Sequence, residues 1–341
     1  DVHLSLRRQR QMCIRDSDGR DAYFDLPGIA VLIGGMWIAN TYYWGFNQYI
    51  IQRTFAAKSL EEAQKGIAFA AFLKLIIPIF VVLPGIIAYV INLDPSTGEL
   101  VKTLPEGFIS QDGKILNDNA APWLIKNYIP VGIKGLILAA LAAAIVSSLA
   151  SMLNSTSTIF TMDIYKEYIN KNASDKILVK VGRIVVIISL LIAMLIAPAF
   201  GNLGQVFQAI QEYTGVVSPG ILAVFIMGLF YKKATNNAAI WGILLSIPIA
   251  MYFKVVPKGW IELFPSFSHG LFISEIPFLH QMGITFILTM IVIYIISYLE
   301  GNQNDPKGIE LSKNLFETKP SFNIPAFAVL IITAMHYDIF W

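Results

Sequence analysis

The sequence has little that soluble chemistry needs. A single cysteine, Cys13, stands among 341 residues, which excludes a disulfide framework and any metal site built on paired thiolates. Charge is scarce, at 14% of residues, and 25 basic against 23 acidic side chains leave a net charge of only +2. That balance offers no basic surplus for a phosphate backbone, so nucleic acid is not an expected partner. The apolar runs lack the two-residue alternation of a membrane β-strand, which argues against a barrel. What the chain has is apolar length: 55% of residues are hydrophobic and the mean hydropathy is +0.61, above what a soluble domain of this size carries.

Runs long enough to cross a bilayer recur at about residues 27–51, 66–92, 131–162, 179–199, 203–231, 236–256, 279–299 and 323–341. Without β alternation, helices are the spanning solution, because backbone amides in hydrocarbon must be satisfied inside their own segment. The fold class expected is an all-α polytopic membrane protein of about eight transmembrane helices. Basic residues mark alternate connectors: Arg53, Lys58 and Lys65; Lys166 through Lys171, Lys176, Lys180 and Arg183; Lys232 and Lys233; and Lys307, Lys313 and Lys319. The positive-inside rule puts these loops in the cytoplasm and segments 93–130 and 257–278 outside, where Trp123, Tyr128, Trp260 and Phe264 suit an aromatic belt. Both chain ends then fall outside, and the last run, ending at Trp341, is barely long enough to span.

The first 22 residues are read apart from the transmembrane domain, residues 23–341. The stretch Arg7-Arg8-Gln9-Arg10-Gln11-Met12-Cys13-Ile14-Arg15-Asp16-Ser17 is polar and has no apolar core like that of a signal peptide. It resembles translated adapter read-through, and native sequence is expected to begin between Gly19 and Tyr23.

Four clusters inside the apolar runs could carry chemistry. Asn40, Tyr43, Trp44 and Asn47 are spaced i, i+3, i+4, i+7, so amides and aromatic rings share one helix face. Amides pair with hydroxyls and rings stack on flat C–H faces, which suits a sugar. Tyr and Trp also serve as interfacial anchors and Asn as packing glue, so spacing leaves both readings open. Gly34-Gly35 and Gly45 flank the face, and transporters place substrates where a helix is interrupted. Lys74, eight residues inside the second run, either snorkels toward the interface or faces a cavity or ligand. Ala144, Ser147 and Ser148 stand at i, i+3, i+4 and could offer a carbonyl and two hydroxyls to a small hard cation such as Na⁺, or form a plain packing face. Gln205, Gln208, Gln211 and Glu212 precede Gly215 and Pro219-Gly220; Gln211, nearest the expected kink, could meet a substrate hydroxyl or another helix's backbone.

The run Asn40-Thr41-Tyr42-Tyr43-Trp44-Gly45-Phe46-Asn47-Gln48-Tyr49-Ile50-Ile51-Gln52-Arg53 resembles the signature of bacterial sodium/galactose symporters in the sodium:solute symporter family. The similarity continues through Lys58–Gly66, through Leu136–Tyr165 and through Gln211-Glu212-Tyr213-Thr214-Gly215 with Ser218-Pro219-Gly220, and covers nearly everything after Tyr23. It implies the leucine-transporter-like fold of two inverted five-helix repeats, here the second repeat plus C-terminal helices with the first repeat absent. It further implies that Asn40, Lys74 and Gln211 hydrogen-bond a monosaccharide, that Tyr43 stacks on it as an inner gate, and that Trp44 supports that face. Ala144, Ser147 and Ser148 would form one half of a sodium site, the other half belonging to a helix of the first repeat. The expected function is sodium-coupled sugar transport across the bacterial inner membrane. The alternatives are a same-family symporter for an inositol, a carboxylate or an amino acid, a transport-dead sensor or scaffold, and an inert fragment.

Overall fold

A computed structural model of the chain describes residues 34–93, 119–202, 206–255, 276–301, 304 and 317–340. The expected non-native segment 1–22, Gln205, Trp260, Phe264, Lys307 and Lys313 lie outside the described residues. All elements among the described residues are helical, as an amide-bearing chain in hydrocarbon requires. In order they are α1 (Met36–Thr41), a π turn (Tyr42–Phe46), α2 (Gln48–Phe55), α3 (Leu60–Lys74), α4 (Ile77–Ile91), α5 (Ala120–Tyr128) and α6 (Val131–Ile159), which runs on as a π-helix (Phe160–Ile169). Then come α7 (Asp175–Ile196) with a 3₁₀ extension (Ala197–Asn202), α8 (Val206–Phe230), α9 (Asn236–Val255), α10 (Phe278–Leu299) and α11 (Pro320–Phe340).

Among the described residues, six stretches are long and apolar enough to cross a membrane: Leu60–Ile91, Val131–Ile169, Asp175–Ala199, Ala209–Phe230, Asn236–Lys254 and Phe278–Leu299. The last expected run is helical over 21 residues, but its apolar part is the shorter Pro320–His336. The first is not one helix. Its α-helical turns end at Thr41, the π turn follows, and Asn47 adopts extended backbone (φ −81°, ψ 117°) before α2 begins. Asn47 therefore leaves the face that Asn40, Tyr43 and Trp44 were expected to share with it, since a π turn holds more residues than an α turn. The basic loop expected across Lys166–Arg183 is also shorter, because the π-helix continues to Ile169 and α7 already holds Lys176, Lys180 and Arg183.

The chain forms two compact units, Asp1–Asn47 with Phe207–Glu317, and Gln48–Val206 with Thr318–Trp341. In the first, Ile38 of α1, Leu222, Ala223 and Met227 of α8, Ala238 of α9, and Phe286 and Ile293 of α10 make the core. Lipid is as apolar as these side chains, so close van der Waals contact holds them rather than flight from water. Small residues make that contact possible: a Cβ on Gly220 would collide with Ser246, and one on Gly242 with Ile293. At the crossing of α1 with α10, backbone meets backbone. A Cβ on Gly35 would overlap the Leu279 carbonyl, and one on Gly283 the Gly34 carbonyl.

The start of α9 is tied to the end of α10. The Thr235 hydroxyl accepts from the Ala238 amide (3.2 Å), an N-cap bond, and donates to the Glu300 carboxylate. Asn237 Nδ2 also donates to Glu300 (3.0 Å). These two bonds, Thr235's foremost, hold the Glu300 carboxyl below its ordinary value. Gly301 then turns the chain at φ 102°, where a side chain would be strained.

In the second unit, Ser59 caps α3 by accepting from the Glu62 amide (3.2 Å), with Glu61 and Glu62 in the first turn favoured by the helix dipole. Glu61 receives Lys319 (2.7 Å) and the Ser321 hydroxyl (3.3 Å), which fastens the start of α11 to α3. Ser157 donates to the Gly182 carbonyl (3.0 Å), joining α6 to α7 where Gly182 has no side chain to keep them apart.

Candidate functional site

Asn40 closes α1 with its amide donating to the Met36 carbonyl one turn back (3.0 Å). That bond fixes the side chain while its oxygen remains an acceptor. Tyr43 and Trp44 follow in the π turn, both partly exposed, their rings edge to face with centroids 5.2 Å apart. Gln211 stands on α8 in the same unit, exposed, one turn before buried Gly215. Gln208 is part of α8, but its side chain is outside the described set.

The remaining expected site residues belong to the second unit. Lys74 is the last residue of α3 and its side chain is exposed. Pro78, four residues on, has no N–H to return to the Lys74 carbonyl, and the chain answers with tighter bonds from Leu75 to Phe72 (3.1 Å) and from Ile76 to Leu73 (3.0 Å). Lys74 thus lies at a kink. The helical stretch runs from Leu60 to Ile91, but its first turns hold Glu61, Glu62 and Lys65, so Lys74 lies eight residues inside the apolar part that begins at Gly66.

Ala144, Ser147 and Ser148 lie on one face of the unbroken helix α6, and all three are exposed. Hydroxyl and carbonyl oxygens of this kind suit a hard monovalent cation. The stripe continues to Ser151, whose hydroxyl donates to the Ser147 carbonyl (3.0 Å). Ser151 is also the anchor for α2, the helix that resumes after the Asn47 break. Gln52 Nε2 donates to the Ser151 carbonyl (3.1 Å), Arg53 to the Ser151 hydroxyl, and Asn154 Nδ2 to Gln52 Oε1 (3.1 Å). Sequence reasoning did not single out this clamp. The local signal was that Ser151 extends the Ala144, Ser147, Ser148 spacing by one turn. Among the described residues no group of three or more His, Cys, Asp or Glu could hold a metal.

Kinked and broken apolar helices of this length define a polytopic helical membrane protein. The sodium:solute symporter family profile matches residues 15–246, and the chain belongs to that family. It is 55% identical over 325 residues to the sodium/glucose cotransporter of Vibrio parahaemolyticus, covering 94% of this chain and 55% of that one. It is 37% identical over 247 residues to the sodium/myo-inositol cotransporter 2 of Oryctolagus cuniculus, covering 70% and 35%. Among solved structures, a Na⁺-coupled sialic acid symporter in its substrate-bound outward-open state superposes with a TM-score of 0.61 at 26% identity, covering 83% of this chain and 52% of that one. The chain thus spans about half the length, or less, of these relatives. The all-α polytopic fold class and its leucine-transporter-like kinship stand, and the protein resides in a cell membrane.

Proposed function

We propose that this chain supplies part of the solute-binding and ion-binding helices of a symporter that carries a galactose- or glucose-type monosaccharide with Na⁺ across the bacterial inner membrane. One observation carries the reading: the Asn40–Asn47 segment departs from α-helical geometry at Tyr42–Phe46 and ends at an extended Asn47. Backbone so freed is tolerated at membrane depth only where it lines a cavity or is buried in protein, and here it bears an amide and two rings. Asn40, Lys74 and Gln211 are the polar sugar contacts, Tyr43 the stacking ring and Trp44 its support. Ala144, through its carbonyl, and Ser147 and Ser148, through their hydroxyls, are ligands of the co-transported Na⁺. Ion binding favours the state in which the sugar site is complete, and alternating access follows from that population shift. No bond of the sugar is made or broken.

The test is uptake into proteoliposomes by the full-length gene product, with and without a Na⁺ gradient. Sodium-driven galactose or glucose uptake is expected, with Lys74→Ala raising the sugar KM and Ser148→Ala raising the Na⁺ half-saturation. Uptake indifferent to Na⁺ would defeat the coupling, and an unchanged KM in Lys74→Ala would remove that residue from the site. The inositol cotransporter similarity supports a second reading, myo-inositol as the solute, which competition in the same assay distinguishes.

A further inference from the structure

Glu212 and Lys254 form an ion pair at one end of the apolar spans of α8 and α9, Glu212 in the first turn of Ala209–Phe230 and Lys254 the last residue of Asn236–Lys254. Lys254 Nζ lies 3.5 Å from Glu212 Oε2, with the two side chains 20% and 21% exposed. The same ammonium sits 4.1 Å from the centroid of the Tyr213 ring. The local chain shows what the pair acts on. Pro219 has no N–H for the Gly215 carbonyl, and the Thr214 hydroxyl bonds back to the Ile210 and Gln211 carbonyls (3.0 Å each), a pattern that bends helices. Beyond that weak point Gly215, Ser218, Pro219, Gly220 and Leu222 are buried; before it Ile210, Gln211, Tyr213 and Thr214 are exposed. The first turns of α8 are therefore joined to the packed core through a softened stretch.

We propose that Glu212 and Lys254, with the Tyr213 ring, are positioning residues that set the rotation of the first turns of α8 and so aim Gln211. Lys254 holds two consecutive side chains, which pins the helix's rotation rather than only its distance. At about 100° per residue, Gln211 lies roughly 150° around the helix from the midpoint of that grip, on the side turned away from α9. The inference rests on the reading of Gln211 as a sugar contact.

The experiment measures uptake kinetics of the full-length gene product in proteoliposomes, using whichever of galactose, glucose or myo-inositol the wild type carries. The variants are Glu212→Gln, Lys254→Met, the reversed pair Glu212→Lys with Lys254→Glu, Gln211→Ala, and Gln211→Ala combined with Glu212→Gln. Each single change at the pair is expected to raise the sugar KM about tenfold, the equivalent of one misdirected hydrogen bond, with maximal rate and Na⁺ half-saturation within about twofold. The reversed pair restores the ion pair but not the cation over the Tyr213 ring, so it should recover part of the KM, and Glu212→Gln should add nothing once Gln211 is alanine. Unchanged KM in both single variants overturns the proposal. So does a joint loss of rate and affinity that reversal does not recover, or a full multiplication of effects in the combined variant. Normal KM in Gln211→Ala defeats the sugar reading of that residue and this inference with it. Raised KM in Gln211→Ala beside normal KM in Glu212→Gln defeats the positioning role alone.

Discussion

An alanine at Gly283 would drive its methyl group into the Gly34 carbonyl where α1 crosses α10. The obstacle is main chain, so no rotamer change clears it and the two helices must move apart. Overpacking of this kind costs about 1 to 3 kcal/mol, offset by the helix-propensity gain of replacing glycine, roughly 0.5 to 1 kcal/mol. A net loss of about 1 to 2 kcal/mol changes the folded-to-unfolded ratio by a factor of about 5 to 30. The assay is unfolding of the full-length gene product in mixed micelles by graded SDS, comparing wild type, Gly283→Ala and Gly228→Ala. The last is the internal reference, because a Cβ at Gly228 meets nothing within 4 Å and keeps only the propensity gain. Gly283→Ala should unfold at lower SDS fraction than wild type and Gly228→Ala at equal or higher fraction. If Gly283→Ala is as stable as Gly228→Ala, the crossing is not the close contact described and the reasoning fails.

Two further outcomes follow from local features. Pro78→Ala supplies the N–H that the Lys74 carbonyl lacks, so α3 and α4 should run together; stability should hold or rise while the sugar KM in uptake rises severalfold, and an unchanged KM would mean that the kink does not aim Lys74. Glu300, held below the ordinary carboxylate value of 4.5 by the Thr235 hydroxyl and then the Asn237 amide, contributes stability that is fully present above that value and is lost as pH falls through the lower folded value. The melting temperature of wild type minus that of Glu300→Gln should therefore shrink as the pH is taken from neutral to below 4.5, and a difference constant over that window would count against the contact.

The helical class was legible because hydrocarbon forces it: amides without water close their own bonds, so apolar length alone names the element. Asn40, Tyr43, Trp44, Ser147 and Ser148 could be picked out as candidates because amides, rings and hydroxyls inside such runs stand out by type. The flanking glycines suggested an interruption, but not its form, since a π turn at Tyr42–Phe46 and an extended Asn47 depend on what the segment packs against. The Gln52, Arg53 and Ser151 clamp joins residues about a hundred positions apart, and no helical period relates them. Pro78 carried its signal in plain sight, four residues after Lys74, in the amide hydrogen it does not have. Glu212 was visible beside Gln211, whereas its partner Lys254 read only as the end of another apolar run.

The π turn at Tyr42–Phe46 has a consequence for motion. It holds a surplus residue relative to an α turn, and that surplus can be handed along the chain one position at a time while the amides exchange one carbonyl acceptor for the next. Each handover turns the side chains it passes by about 100° around the helix axis. Tyr43 and Trp44 sit on that surplus, so they can be swung as on a crankshaft, without melting the segment that carries them.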